Sequence, residues 1–252
     1  MRNILIYFSI KYKGDYKKIY QAIYNKEKVD ELEIEKIKKS NIKAITIIDD
    51  NYPIKLKTCF QPPLVLFYKG DISLLNNNCS LAIVGSRNAS SYGIEATKYL
   101  LKGLFLKKDV TIISGLARGI DTIAHLQALE WKQKTIAILG CGINNCYPKG
   151  NEALKKEIEE YGLVLSEYPD MIQPRKEYFP LRNRIISALS DGVLVTSAKN
   201  KSGTKITVNY ALEQGKNIFT IPYPIFEESY CNQLIKQGAI PVVSSEDIID
   251  FL

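Results

Sequence analysis

The amino-acid sequence predicts a doubly wound α/β domain, a mostly parallel sheet with helices on both faces, behind a small N-terminal helical extension. Two patterns carry this. From Leu81 onward, short unbroken apolar runs alternate with longer stretches of helical periodicity. Fully apolar strands separated by helices belong to a parallel sheet that is covered on both sides. Before residue 76 the pattern differs, with Ile and Tyr at helical spacing. The 252 residues, 46% of them apolar, suffice for one large domain with an appendage. The division is expected at Asn76-Asn77-Asn78, giving a helical extension and lead-in segment over 1–75 and the sheet domain over 76–252.

Taken in order, the first forty residues, through KKIYQAIYNKEKVDELEIEKIKKS, read as short amphipathic helices. AITIIDDNYPIKLKTCFQPPLVLFYKGD follows, with a strand-like run, a Pro-bearing turn and a second apolar run after Pro62-Pro63. The strands of the sheet domain are expected at Leu81–Gly85, Val110–Ser114, Thr135–Leu139, Leu163–Ser166, Val193–Ala198, Asn217–Ile221 and Pro241–Val243. Helices are expected between them at Ser91–Lys107, Asp121–Lys132, Asn151–Tyr161, Phe179–Leu189 and Lys205–Gln214. Ligands of such folds bind beyond the carboxyl ends of the strands, which makes those loops the place to look for function.

Composition excludes several classes. Charged residues at 24% and ordinary Gly and Pro contents exclude a disordered or collagen-like chain. No apolar run approaches the ~18–20 residues of a membrane helix. The start, MRNILIYFSIKYKG, lacks a small-residue cleavage site, so a soluble cytoplasmic protein without a signal peptide is expected. Five cysteines without a CxxC and a single histidine, His125, argue against a metal site and a disulfide framework. The net charge of +7 decides little by itself. More telling, only 6 of the 34 basic residues are Arg, and four of them, Arg87, Arg118, Arg182 and Arg184, fall in Gly-rich or turn segments. A guanidinium grips phosphate oxygens in pairs, which an ammonium does not.

The first strand opens into Gly85-Ser86-Arg87-Asn88-Ala89-Ser90-Ser91. Gly there lets backbone amides approach an anion, Ser90 or Ser91 caps the next helix, and Arg87 adds a forked contact. A plain turn with a solvated Arg is the alternative. The pattern is not GxGxxG, so no dinucleotide cofactor is indicated. The second strand ends in Ser114-Gly115-Leu116-Ala117-Arg118-Gly119-Ile120-Asp121, with His125 four residues on. Asp121 could orient the imidazole for acid–base work, or the two could form a clamp that shapes the loop. Gly140-Cys141-Gly142 with Tyr147-Pro148 follows the third strand. Glu167, after the fourth, reads as a structural carboxylate or a catalytic one. Next comes Lys176-Glu177-Tyr178-Phe179-Pro180-Leu181-Arg182-Asn183-Arg184. Two Arg two residues apart point to different sides, so one can face a groove while the other braces the loop. Phe179 serves either the core or as a flat ring for a base, a stack worth about 1–3 kcal/mol.

The stretches IVGSRNAS, SGLARGIDTIAH, ILGCGINNCYP, LSEYP, FPLRNRIISALSDGVLV and NQLIKQGA, in this order, resemble the DprA/Smf family of DNA-processing proteins. The resemblance runs over about 190 residues and includes the lead-in segment. It implies a Rossmann-like domain over 76–252 that binds single-stranded DNA, protects it and helps load the recombinase RecA in natural transformation. It also implies a homodimer and a non-enzymatic role with no cofactor. The site residues implied are Gly85, Ser86, Arg87, Lys176, Phe179, Arg182, Asn183 and Arg184, lined further by Ser114, Gly115, Arg118, Gly119, Asp121 and His125. Ser202, Gly203 and Thr204 of the late loop complete the expected set. Several late positions depart from the family pattern, among them Ser197 in place of an acid, Tyr223 and Tyr230 in place of Gly. The chain ends at Leu252, so the winged-helix-like module of many relatives is expected to be absent. The competing enzyme class is a nucleotide hydrolase related to the LOG phosphoribohydrolases. It would require an acid near Ser197 and a fuller Gly loop than Lys201-Ser202-Gly203-Thr204.

Overall fold

A computed structural model of the chain describes residues 1–76, 79–199 and 202–252. Asn77 and Asn78 of the expected boundary, and Lys201 of the late loop, lie outside the described residues. Three helices come first: α1 (Arg2–Lys11), α2 (Tyr16–Tyr24) and α3 (Glu31–Lys39). Asp15 and Asp30 cap α2 and α3 by accepting hydrogen bonds from first-turn amides, which offsets donors that a helix start leaves unpaired. Ile19 and Ala22 of α2 pack on Phe8 of α1, leaving the opposite face of α2 in solvent.

The sheet then forms from β1 (Ala44–Thr46), β2 (Val65–Gly70), β3 (Ser80–Gly85), β4 (Thr111–Ser114), β5 (Thr135–Ile138), β6 (Leu163–Ser166), β7 (Gly192–Ser197), β8 (Asn217–Thr220) and β9 (Ile240–Pro241). Its helices are α4 (Ile54–Lys57), α5 (Ser91–Phe105), α6 (Ile120–Glu130), α7 (Glu152–Tyr161), α8 (Tyr178–Leu189), α9 (Thr204–Glu213), α10 (Tyr230–Lys236) and α11 (Glu246–Ile249). The strand order is β1-β2-β6-β5-β4-β3-β7-β8-β9. From β3 to β9 neighbouring strands are parallel, as the unbroken apolar runs require. The two strands of the lead-in segment are antiparallel additions at the β6 edge. The sheet is therefore continuous across the division expected after residue 75.

Both faces are covered. Ile185 and Ile186 of α8, Val208 of α9 and Leu234 of α10 pack with Ala82, Ile113, Ile136 and Val195 on one side. Leu100, Leu101 and Leu104 of α5 and Ala124 of α6 pack with Leu81, Ile83, Ile112 and Leu194 on the other. Leu154 and Ile158 of α7 and Leu5 and Ile6 of α1 extend that second layer. Trimming any one of these fully buried Leu or Ile side chains to Ala costs about 2–5 kcal/mol. The fold is thus the Rossmann-like doubly wound architecture. Among the described residues no helix is long and apolar enough to cross a membrane.

Chain direction fixes where a site can form. From β3 the chain steps outward through β4 and β5 to β6, then returns to place β7 on the other side of β3. The loops after β3 and β7 consequently diverge, and a crevice opens at the carboxyl end of the sheet.

Candidate functional site

At that crevice lies a groove of about 650 Å³. It gathers Gly85 at the end of β3, Ser86 and Arg87 just after it, Asp121 at the start of α6, and Lys176, Phe179, Arg182 and Asn183 around the start of α8. Ser202, Gly203 and Thr204 close its far side. A shelf of about 230 Å³ adjoins it, bounded by Arg87, Gly115, Arg118 and Phe179. Four residues of the expected set, Ser114, Gly119, His125 and Arg184, line neither space.

Local geometry explains the shape of the loops. The β3–β7 register shifts between Val84 and Gly85, so the chain bends as it leaves the sheet. The Ser86 amide then donates to the Ser197 carbonyl at 2.6 Å. Gly119 adopts φ +76°, and a Cβ there would stand 2.2 Å from the Ser86 carbonyl oxygen. Only Gly combines that backbone with so close an approach. Its neighbour Ile120 donates its amide to the same carbonyl at 3.3 Å, locking the two glycine loops together. Ser90 caps α5 through the Gly93 amide, while the Tyr223 hydroxyl donates to the Thr196 carbonyl (2.9 Å) and stands 3.4 Å from the Ser90 hydroxyl. Tyr223 therefore packs against the first turn of α5, at Gly93.

Four of the loop amides that could have cradled an anion are engaged within the protein. Ser86 N–H is spent on Ser197, Asn88 N–H on the Ser86 hydroxyl, and the Gly115 and Ala117 amides on the Asp121 carboxylate. Asp121 is buried. Burial pushes its carboxyl upward from the usual carboxylate range, opposed by the Arg182 charge and the two amides.

The two arginines of α8 divide as expected, Arg182 lining the groove and Arg184 bracing the loop away from it. Arg182 is buried and donates to the Gly115 carbonyl at 2.6 Å, to the Ile138 carbonyl and to the Asn183 side chain at 3.0 Å. A Cβ on Gly115 would fall 2.4 Å from that guanidinium, so the absence of a side chain there makes room for it. Arg184 is 1% exposed and forms a two-pronged ion pair with Glu167, both contacts 2.6 Å. It also donates to the carbonyls of Phe60 and Gln61, tying the lead-in segment to α8. Burial disfavours its charge, and the Glu167 carboxylate reverses this and raises its pKa. Arg184 is a brace, whereas Arg182 is held through Nε and Nη1 and also lines the groove. Glu167 is structural.

Arg87 has no hydrogen-bond or ion-pair partner among the described residues. It is exposed and lies over the Phe179 ring, 5.4 Å from its centroid. Phe179 in turn rests on Gly140, where a Cβ would come within 2.7 Å of the ring, and tilts against Tyr147 at 5.4 Å. Half-buried, it serves packing and presents a face at once. Lys176 and Arg118 are exposed nearby.

His125 is corrected. It is fully buried beneath the loop, its Nδ1 against the Thr135 hydroxyl at 2.7 Å and its Nε2 without a partner. Burial, and then the Arg182 charge, pushes its pKa down to about 3, so the imidazole is neutral. It does not pair with Asp121, whose Oδ2 accepts from the loop amides of Gly115 and Ala117 instead.

Among the lining residues outside the expected set are Asn88, Tyr147 and Lys199. Tyr147 lay in a loop already marked as permitting close approach. Lys199 carried no signal, as one lysine among 28, except that it follows a predicted strand directly.

Fold and groove together define a Rossmann-like domain with a cationic, aromatic-floored groove at its switch point. Residues 43–252 match the family model of DNA recombination-mediator protein A. The chain belongs to that family. It is 40% identical over 218 residues to the DNA processing protein DprA of Bacillus subtilis, covering 85% of this chain and 73% of that protein. Its structure is similar to that of DNA processing protein A of Streptococcus pneumoniae, with a TM-score of 0.82 and 36% identity over 98% of this chain and 92% of the other. A second similar structure is DNA processing protein A of Helicobacter pylori, described for its single-stranded DNA binding mode. The TM-score is 0.74 and identity 31%, over 83% of this chain and 95% of that one.

Proposed function

We propose that this protein binds single-stranded DNA in the groove at the carboxyl end of its sheet, without sequence preference and without chemistry. The observation that carries the proposal is the sorting of charge in that groove. Arg87, Lys176, Arg118 and Lys199 are exposed, whereas the one lining carboxylate, Asp121, is buried and engaged by amides. Free cations attract a phosphate backbone and the exposed faces of Phe179 and Tyr147 offer a stack to any base, which is how sequence-tolerant single-strand binders work. The single-strand binding named for the Helicobacter pylori relative supports the same ligand class.

Family membership supports the wider role. The protein protects incoming DNA and assists RecA loading in transformation and recombination, as a homodimer in the cytoplasm. A binding role without catalysis is supported by the fate of the two acid–base candidates, His125 being buried and Glu167 paired with Arg184. A mobility-shift titration with single-stranded and duplex DNA at two salt concentrations tests the proposal. Tighter binding to the single strand, weakened by salt and by Arg87→Ala or Lys176→Ala, is the expected result. Hydrolysis of adenosine monophosphate, lost on substitution of His125 or Glu167, would overturn it.

A further inference from the structure

The groove does not end the aromatic surface at this rim. Phe179 is followed back along α8 by Tyr178, which stacks on the buried ring of Tyr168 at 4.0 Å with Arg175 over its face at 5.8 Å. The backbone of Gly14 abuts Tyr168, since a Cβ there would sit 2.9 Å from the ring. Gly14 is two residues before α2, and on α2 Tyr16, Tyr20 and Tyr24 form a ladder. Their centroids are 6.2 and 6.5 Å apart with planes only 20° and 12° from parallel. Spacing by four residues places all three on one helical stripe.

Tyr16 is half-buried at the base of this ladder, but its outer two rings stand in solvent. Ile19 and Ala22 bury the other face of α2, and Tyr20 and Tyr24 are 54% and 77% exposed. The helix carries Lys17 and Lys18 and no acid, and Lys13 and Lys17 have no ion-pair partner among the described residues. Exposed parallel rings beside unpaired ammonium groups suit an anionic chain of flat bases. The ring spacing is close to twice the ~3.4 Å rise of a stacked strand.

We propose that the α2 tyrosine ladder continues the single-strand path out of the groove, over Tyr178 and onto the N-terminal helices, where it stacks further bases of the same strand. This rests on the DNA-binding function proposed above.

The test uses the full chain and the anisotropy of two fluorescein-labelled oligothymidylates. One has about 6 nucleotides and the other about 25, on either side of the ~4–16 nucleotide site sizes of single-strand binders. Tyr20→Ala/Tyr24→Ala is expected to weaken the long oligonucleotide at least about fivefold, the loss for one stacked base, and the short one less than about twofold. Tyr20→Phe/Tyr24→Phe should restore long-strand binding, because the ring is kept. Arg87→Ala should weaken both. Equal loss on both lengths, no loss on the long strand, or failure of the Phe pair to rescue would each overturn the ladder. If the wild-type protein binds both lengths and responds to Arg87→Ala, only the ladder falls in those cases. Failure of the wild type to bind either length overturns the groove and the ladder together.

Discussion

Removing the Arg87 guanidinium tests the groove most directly, because its effect on salt dependence can be worked out beforehand. Four exposed cations face the two spaces: Arg87, Lys176, Arg118 and Lys199. Arg182 is left out of this count because it is buried, with Nε donating to Asn183 and Nη1 to two carbonyls. Each phosphate neutralised on a single strand contributes about −0.7 to the slope of log K against log salt, so four give about −2.8. Raising salt from about 50 to about 200 mM should then weaken binding about 50-fold. In Arg87→Ala the slope falls to about −2.1 and the same change costs about 18-fold. The variant should also bind more weakly at any fixed salt, since a hydrogen bond to a charged partner contributes about 1.5–3 kcal/mol. Anisotropy titrations of an oligothymidylate at five salt concentrations measure both quantities. A slope unchanged by Arg87→Ala would refute the assignment, as would a wild-type slope near zero.

Three further outcomes follow from the packing around the groove. The unfolded His125 imidazole protonates near its ordinary 6.5, the folded one only near about 3. The unfolded chain binds the extra proton in between, so stability should fall as pH drops below about 6.5, by about 1.4 kcal/mol per unit from this residue. Urea midpoints at pH 7 and pH 5 should differ less in His125→Phe than in the wild type, and an equal difference would contradict a buried neutral ring. Arg184→Met strands the Glu167 carboxylate and should cost about 3–5 kcal/mol, part of it recovered by adding Glu167→Leu, as read by urea denaturation. Gly119→Ala meets the Ser86 carbonyl in a left-handed backbone. It should destabilise by at least about 1–3 kcal/mol and weaken DNA binding through Arg87, measured by the same denaturation and anisotropy assays.

How much of this was legible in the sequence depends on whether the determinant is local. Apolar runs such as Leu81–Gly85 or Leu163–Ser166 are buried on both faces, and their limits in the structure agree with expectation to within a residue or so. The exception is β9, at Ile240–Pro241 rather than Pro241–Val243, an edge strand too short for periodicity to fix. The short helices α10 and α11 were not expected for the same reason. Residues 44–70 looked strand-like, but nothing nearby in sequence announces that β2 pairs with β6, almost a hundred residues on. The candidate site divides along the same line. Gly-rich loops and arginines after strands are local signals, and the chain does bring most of them to one rim. Which of those groups remain free is settled by distant partners. Arg184 is removed from consideration by Glu167 and by carbonyls at residues 60 and 61, Arg182 is held in place by carbonyls of the β4 loop and the end of β5, and the Ser86 amide is taken by Ser197 across a strand pair. A buried guanidinium needs several acceptors, whereas an exposed one needs none. Arg87 and Arg118 have no such acceptors and are the arginines of the four left open to a phosphate, and Phe179 holds Arg87 at the mouth of the groove.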